Sequence, residues 1–349
     1  LVSETPISRI SGCLIGQCLG DALGFPVEGR DAADCSLYLQ RGVRRWFAGE
    51  ECDLQDWSGQ YTDDSQLARE LLASLVHCNG WRPADYAARI EKIFRENRIV
   101  GRGIACDEAA RNLSAGLDWI RSGVPAPSAG NGTAMRAAPV GLFFHDDPAE
   151  MIRVAHEQGW ITHHDPRCSA GSIAIAGGVA LALRDKISDC RAFVSRLCDW
   201  MSAYDSGFAN LVLKLPSWLE LSPVVAAKKI AVTGREERYV ESWPGISPFV
   251  VPSVLWSLYS FLRHRDSYED AVCEAIAVGG DVDTTAAMTG AISGAYLGLD
   301  ALPAHLTERL HDKREWKLEN LTQLALSCHN CVTSREPSES DQSSQERIQ

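Results

Sequence analysis

Between Gly12 and Gly24 the chain reads GCLIGQCLGDALG, with glycine at positions 12, 16, 20 and 24. Residues four apart share one face of a helix, so this spacing predicts a helix carrying a strip without side chains. Glycine inside a helix costs up to about 1 kcal/mol relative to alanine. Four in register imply a compensating gain, the close approach of a neighbouring helix backbone. A second stripe, Gly290, Gly294 and Gly298, repeats the pattern near the other end of the chain.

Outward from these stripes, helical periods recur at Leu67, Leu71, Leu72 and Leu75, at Met151, Val154 and Ala155, and at Ala271, Ala275 and Val278. Period-two alternation is scarce and β-branched runs are short. The expected fold class is therefore all-α. The 349 residues, 45% hydrophobic and 23% charged, have the composition of a globular protein with room for a full core. Residues 334–349 hold Ile348 as their one large apolar side chain and are expected to form a disordered polar tail.

The 46 acidic residues outnumber the 34 Lys and Arg, for a formal charge of −12, and no basic run supplies a nucleic-acid surface. The longest uncharged run, Ser242 to Leu262, is 21 residues, but Pro244, Pro248 and Pro252 interrupt its first half, so no membrane span is expected. The first apolar stretch, between Arg9 and Asp21, lacks a small-residue cleavage site; no signal peptide and a cytoplasmic location are expected. Twelve cysteines scattered from Cys13 to Cys331 read as reduced, mostly buried thiols. The tight pair Cys328-His-Asn-Cys331 has no second pair nearby to complete a zinc site.

Two acidic clusters sit where a loop meets a helix: Thr62-Asp63-Asp64-Ser65, and Asp281-Val282-Asp283-Thr284-Thr285 after Gly279-Gly280. Each alone fits a helix cap, since first-turn carboxylates satisfy free N–H groups and the dipole. Together they offer four carboxylates and several hydroxyls, the oxygen ligands that Mg²⁺ or Mn²⁺ takes, enough for a two-metal site. Spacing does not show that they meet, because 281 − 64 = 217 positions separate them. Other candidates are Glu28, in the loop that Pro26 starts, and the turn Gly130-Asn131-Gly132, whose N–H groups would suit phosphate. Thr162-His163-His164-Asp165 reads as a polar loop or substrate contact rather than a metal site. Asp281-Val-Asp283-Thr-Thr285 also fits the D-x-D-x-T signature of haloacid-dehalogenase phosphohydrolases, but that chemistry needs a buried parallel strand before the first Asp.

The segments GCLIGQCLGDALGFPVEG, GQYTDDSQLARELL, GNGTAMRAAPVGLF, THHDPR and GGDVDTTAAMTGAISGAYLG, in this order from Gly12 to Gly298, resemble the ADP-ribosylglycohydrolases, including the ADP-ribosylarginine hydrolases. The resemblance implies a single-domain orthogonal helical bundle over residues 1–333, with two Mg²⁺ or Mn²⁺ ions at the bottom of a cleft. By matching positions it implies metal ligands at Thr62, Asp63, Asp64, Asp281, Asp283 and Thr284, and catalytic roles for Glu28, Asp63 and Asp283. It implies substrate contacts at Gly130, Asn131, Gly132, Met135 and His163. Ser65 and Val282 depart from the family's common residues, yet neither is a ligand position. The implied activity removes ADP-ribose from a modified protein side chain, most consistent with arginine; serine-linked or small-molecule ADP-ribose, and an inactive ADP-ribose binder, are the alternatives.

Overall fold

The structure is a computed structural model that describes residues 7–50, 57–184, 187–234 and 243–334. The expected tail lies outside the described residues apart from Ser334. As the sequence predicts, the fold is all-α: helices pack on helices, and the named strands are two short pieces, Val124–Pro125 and His163–His164, paired in parallel.

The two glycine stripes meet each other. A Cβ on Gly12 would stand 2.4 Å from the Gly294 carbonyl oxygen, one on Gly16 2.6 Å from that of Gly290, and one on Gly20 2.2 Å from that of Ala286. Partner numbers fall as stripe numbers rise, so the Ile7–Gly24 helix runs antiparallel to the Val282–Leu297 helix. Both are buried on nearly every side, which is why neither shows a polar face. The helices Pro166–Arg184 and Val250–Arg263 pack against the Val282–Leu297 helix, and the Asp63–Cys78 helix contacts both members of the glycine pair.

Among the described residues two segments are long and apolar enough to cross a membrane, Ile7–Val27 and Pro166–Arg184, but 89% and 83% of their most apolar 18-residue stretches is buried inside the protein. Their apolar surface is used by helix packing. The uncharged run flagged in the sequence is a loop through Pro244 and Pro248, followed by the Val250–Arg263 helix with Pro252 in its first turn. The eleven described cysteines are free thiols, and Cys328 and Cys331 lie on the Leu318–Thr333 helix.

Candidate active site

Antiparallel packing decides where the chemistry lies. Because the C-terminal end of the first helix crosses the start of the Val282–Leu297 helix, Gly24 sits on Asp283. A double-glycine turn aims what precedes that helix. Gly279 and Gly280 adopt φ of 76° and 92°, a region open to glycine but strained for other residues. A Cβ on Gly280 would overlap the Ile246 carbonyl. The turn is laced to two loops: Gly280 N–H donates to Arg30 O (2.9 Å), Gly29 N–H to Gly280 O (2.8 Å) and Asp281 N–H to Ile246 O (2.7 Å). The segment before Asp281 is thus the Tyr268–Ala277 helix and a glycine turn, not a strand, which removes the haloacid-dehalogenase alternative.

The two acidic clusters converge on the same space. Carboxylate oxygens of Asp21, Asp64 and Asp283 lie within 4.8 Å of one another, and so do those of Glu28, Asp281 and Asp283. Asp283 is common to both triads. Asp21, which the sequence reading left unassigned, is fully buried and accepts the Thr62 N–H (3.0 Å), the Thr62 hydroxyl (3.0 Å) and the Ser65 N–H (3.1 Å). It caps the Asp63–Cys78 helix from another helix, since Thr62 at the N-cap position makes no capping bond with its own side chain. Thr62 Oγ1 also lies 3.0 Å from Asp64 Oδ2. Thr284 donates its hydroxyl to Asp281 Oδ1 at 3.1 Å, and Asn131 Nδ2 donates to Asp281 Oδ2 and to Ser253 Oγ. Asp63 stands on the cavity wall, partly exposed, where a Cβ on Gly101 would lie 2.6 Å from its Oδ1.

Burial raises every one of these carboxyls. Asp21 is pushed up to about 7 by burial, offset in part by the Ser65 and Thr62 hydrogen bonds. Asp63 is pushed up to about 7 by burial and then by Asp21 and Asp281. Asp64 and Asp283 are raised further, by burial and the surrounding carboxylates. Glu28, exposed on the rim, is raised by partial burial and by Asp281. So many acids cannot all ionise in one small volume without a counter-charge.

The donor set fits hard divalent cations. Asp64 Oδ1 is buried and finds no hydrogen-bond partner among the described residues, a costly orphan unless a cation meets it. The surrounding ligands are oxygens only, which suits Mg²⁺ or Mn²⁺ rather than a thiolate-seeking metal.

Except for Asp21, which lies behind them, these groups line a cavity of about 660 Å³, the size range of a small-molecule site. Every site residue singled out from the sequence lines it: Glu28, Thr62, Asp63, Asp64, Gly130, Asn131, Gly132, Met135, His163, Asp281, Asp283 and Thr284. The sequence did not announce the apolar walls, Phe25 just after the first helix, Ile104 at the start of the Ile104–Ser114 helix, and Trp243 and Phe249 in the one loop before Val250. One expectation changes in detail. The Gly130–Gly132 turn does not leave all its N–H groups for phosphate, because Asn131 N–H donates to Pro248 O at 2.9 Å; the Asn131 side chain instead steadies Asp281. His163 is buried behind Gly130 and Gly132, while its neighbour His164 stacks on Trp160 with ring centroids 4.5 Å apart.

Comparison with known proteins bears on family and fold. A family model described as ADP-ribosylglycohydrolase matches residues 2–336. The chain is 30% identical over 331 residues to ADP-ribosylhydrolase ARH3 of Bos taurus, covering 85% of this chain and 87% of that protein. It is 24% identical over 313 residues to ADP-ribosyl-[dinitrogen reductase] glycohydrolase of Rhodospirillum rubrum, covering 88% and 92%. A solved structure titled ADP-ribosylglycohydrolase-related protein complex superposes with a TM-score of 0.63 at 24% identity, over 93% of this chain and 98% of that one, a likeness of fold.

Proposed function

The chain belongs to the ADP-ribosylglycohydrolase family of hydrolases, and from that premise we propose that it cleaves the bond between C1″ of ADP-ribose and a modified protein side chain, with arginine as the acceptor. The observation that carries the reading is the pair of carboxylate triads that share Asp283, a residue lining the cavity.

Thr62, Asp63, Asp64, Asp281, Asp283 and Thr284 would hold two Mg²⁺ or Mn²⁺ ions. Such ions supply Lewis-acid chemistry that orients ribose hydroxyls and acidifies water at neutral pH. The chain's own residues do the rest. Asp21 holds Thr62 and Asn131 holds Asp281, so ligand side chains are fixed before substrate arrives and little ordering remains to be done. In hydrolysis a water oxygen bonds to C1″, the C1″–N bond breaks with its electron pair moving to the guanidine nitrogen, and that nitrogen takes a proton. The buried carboxylates stabilise the positive charge that develops on the sugar. Glu28, at the mouth and with its carboxyl raised by burial and by Asp281, is placed to take the proton from water or deliver one to the leaving group.

Arginine is favoured because the segments Gly20–Glu28 and Gly130–Arg136 resemble the arginine-specific branch, and because an exposed carboxylate at the mouth complements a guanidinium. The test is a panel of mono-ADP-ribosylated arginine and serine peptides, assayed for released ADP-ribose with and without a chelator. Release from the arginine peptide, lost on chelation and restored by Mg²⁺ or Mn²⁺, is expected. Release from the serine peptide alone overturns the acceptor, and metal-dependent binding without turnover identifies a binder instead of an enzyme.

A further inference from the structure

Arg136 is fully buried, yet its guanidinium makes no ion pair among the described residues. It donates to neutral groups: Nε to Gln158 Oε1 (2.8 Å), Nη2 to Gln158 O (2.9 Å) and to Thr162 Oγ1 (2.8 Å), and Nη1 to Cys106 Sγ (3.5 Å). A buried charge without a counter-ion is expensive, so its placement calls for a purpose.

The chain of contacts continues to the cavity. Thr162 Oγ1 lies 2.8 Å from His163 Nδ1 and 3.4 Å from Gly159 O, a carbonyl that already accepts the Thr162 N–H at 3.0 Å. A guanidinium only donates, so Thr162 Oγ1 accepts from Arg136. Its single proton then goes to the nearer acceptor, Nδ1, which leaves the ring proton on Nε2. Burial and the Arg136 charge both oppose protonation of the ring, and the neighbouring Asp165 is engaged by Arg167 at 2.7 Å. Nε2 faces the turn that lines the cavity: a Cβ on Gly130 would stand 3.5 Å from it, and one on Gly132 3.0 Å from Cε1. Glycine at both positions leaves that ring edge uncovered.

We propose that Arg136 and Thr162 are positioning residues that lock His163 as its neutral Nε2–H tautomer, so that the cavity wall presents one N–H donor to a phosphate or ribose oxygen. The ligand's identity, ADP-ribose, rests on the function proposed above; the tautomer does not.

The experiment is long-range ¹H–¹⁵N correlation NMR of the histidine rings in the full chain at pH 7, with His163 assigned by His163→Gln. A bare Nδ1 and a protonated Nε2 are expected; a proton on Nδ1, or on both nitrogens, overturns the proposal. Thr162→Val should let both tautomers appear and weaken ADP-ribose binding about tenfold, the worth of roughly one hydrogen bond, and Thr162→Ser should restore both. Thr162→Val with an unchanged tautomer removes the positioning role. ADP-ribose added with Mg²⁺ should shift the Nε2 resonance; binding that leaves Nε2 unmoved overturns the donor role while the family function stands. No binding at all overturns the proposed function and the donor role together, and the tautomer result is then judged on the spectrum of the free protein.

Discussion

A methyl group placed on Gly24 would stand 2.5 Å from the Cα of Asp283. The glycine stripe therefore sets the position of the carboxylate common to both triads as well as the spacing of two helices. Gly24→Ala forces a backbone shift at the site, whereas Gly12→Ala forces one at the far end, 2.4 Å from Gly294 O. Overpacking of this kind costs about 1–3 kcal/mol. Both variants should lose that much stability in urea titrations, but only Gly24→Ala should also weaken Mn²⁺ binding measured by calorimetry on the folded protein.

Asp21 offers a second test of how the site is held. Replacing it with Ala leaves the Thr62 N–H and the Ser65 N–H without their buried acceptor, while the Thr62 hydroxyl keeps Asp64 Oδ2 at 3.0 Å. Each orphaned donor costs about 1–3 kcal/mol, and a lost cap about 1 kcal/mol. We expect Asp21→Ala to unfold at a markedly lower temperature by calorimetry and to bind Mn²⁺ at least tenfold more weakly, even though Asp21 oxygens are already engaged by the chain. Metal affinity equal to that of the unaltered protein would show that Thr62 does not depend on this cap.

The contrast between these two residues shows what the sequence makes legible. Gly24 belongs to a periodic stripe, and a period of four is a local property that survives without any knowledge of the fold. The two acidic clusters are local as well, so their residues could be named, though not their meeting. Asp21 caps a residue 41 positions away and Asn131 bonds one 150 positions away, and no spacing rule reaches that far. One signal for Asp21 was present: between Arg9 and Glu28 it is the sole charged residue in a glycine-rich apolar helix, and buried charges are rare unless partnered. The apolar cavity walls had no such signal, because isolated aromatic residues in loops look alike whether they line a cavity or close a core.

His163 leads to a pH prediction. Burial and then the Arg136 charge push its ring down to about 3, below the usual value near 6.5, so the fold retains the neutral form. Above about 6.5 neither state binds this proton and stability is unaffected. As pH falls from about 6.5 toward 3 the unfolded chain takes up a proton that the folded chain refuses, and stability drops by up to about 1.4 kcal/mol per pH unit. Denaturant midpoints from pH 7 to pH 4 should fall less steeply for His163→Gln than for the unaltered protein; parallel slopes would mean that the ring protonates in place.

Asp283→Asn should separate stability from function. In the metal-free protein Asp283 is raised well above its usual range by burial and then by Asp64 and the other nearby acids, so the carboxyl destabilises the fold at neutral pH. Asparagine has nearly the same shape and no charge to bury. With a chelator present, Asp283→Asn should therefore melt at or above the temperature of the unaltered protein. Addition of Mn²⁺ at about 100 times its dissociation constant stabilises a one-site protein by about 2.7 kcal/mol. The unaltered protein should show a gain of at least that size, and Asp283→Asn almost none, because both triads lose the negative charge of their shared ligand. Asp63 belongs to neither triad, so Asp63→Asn should keep part of the metal-dependent gain. Hydrolysis should fall to background in Asp283→Asn with the helical circular dichroism unchanged. Equal metal stabilisation in all three proteins would place the cations away from Asp283 and remove the basis for its shared role.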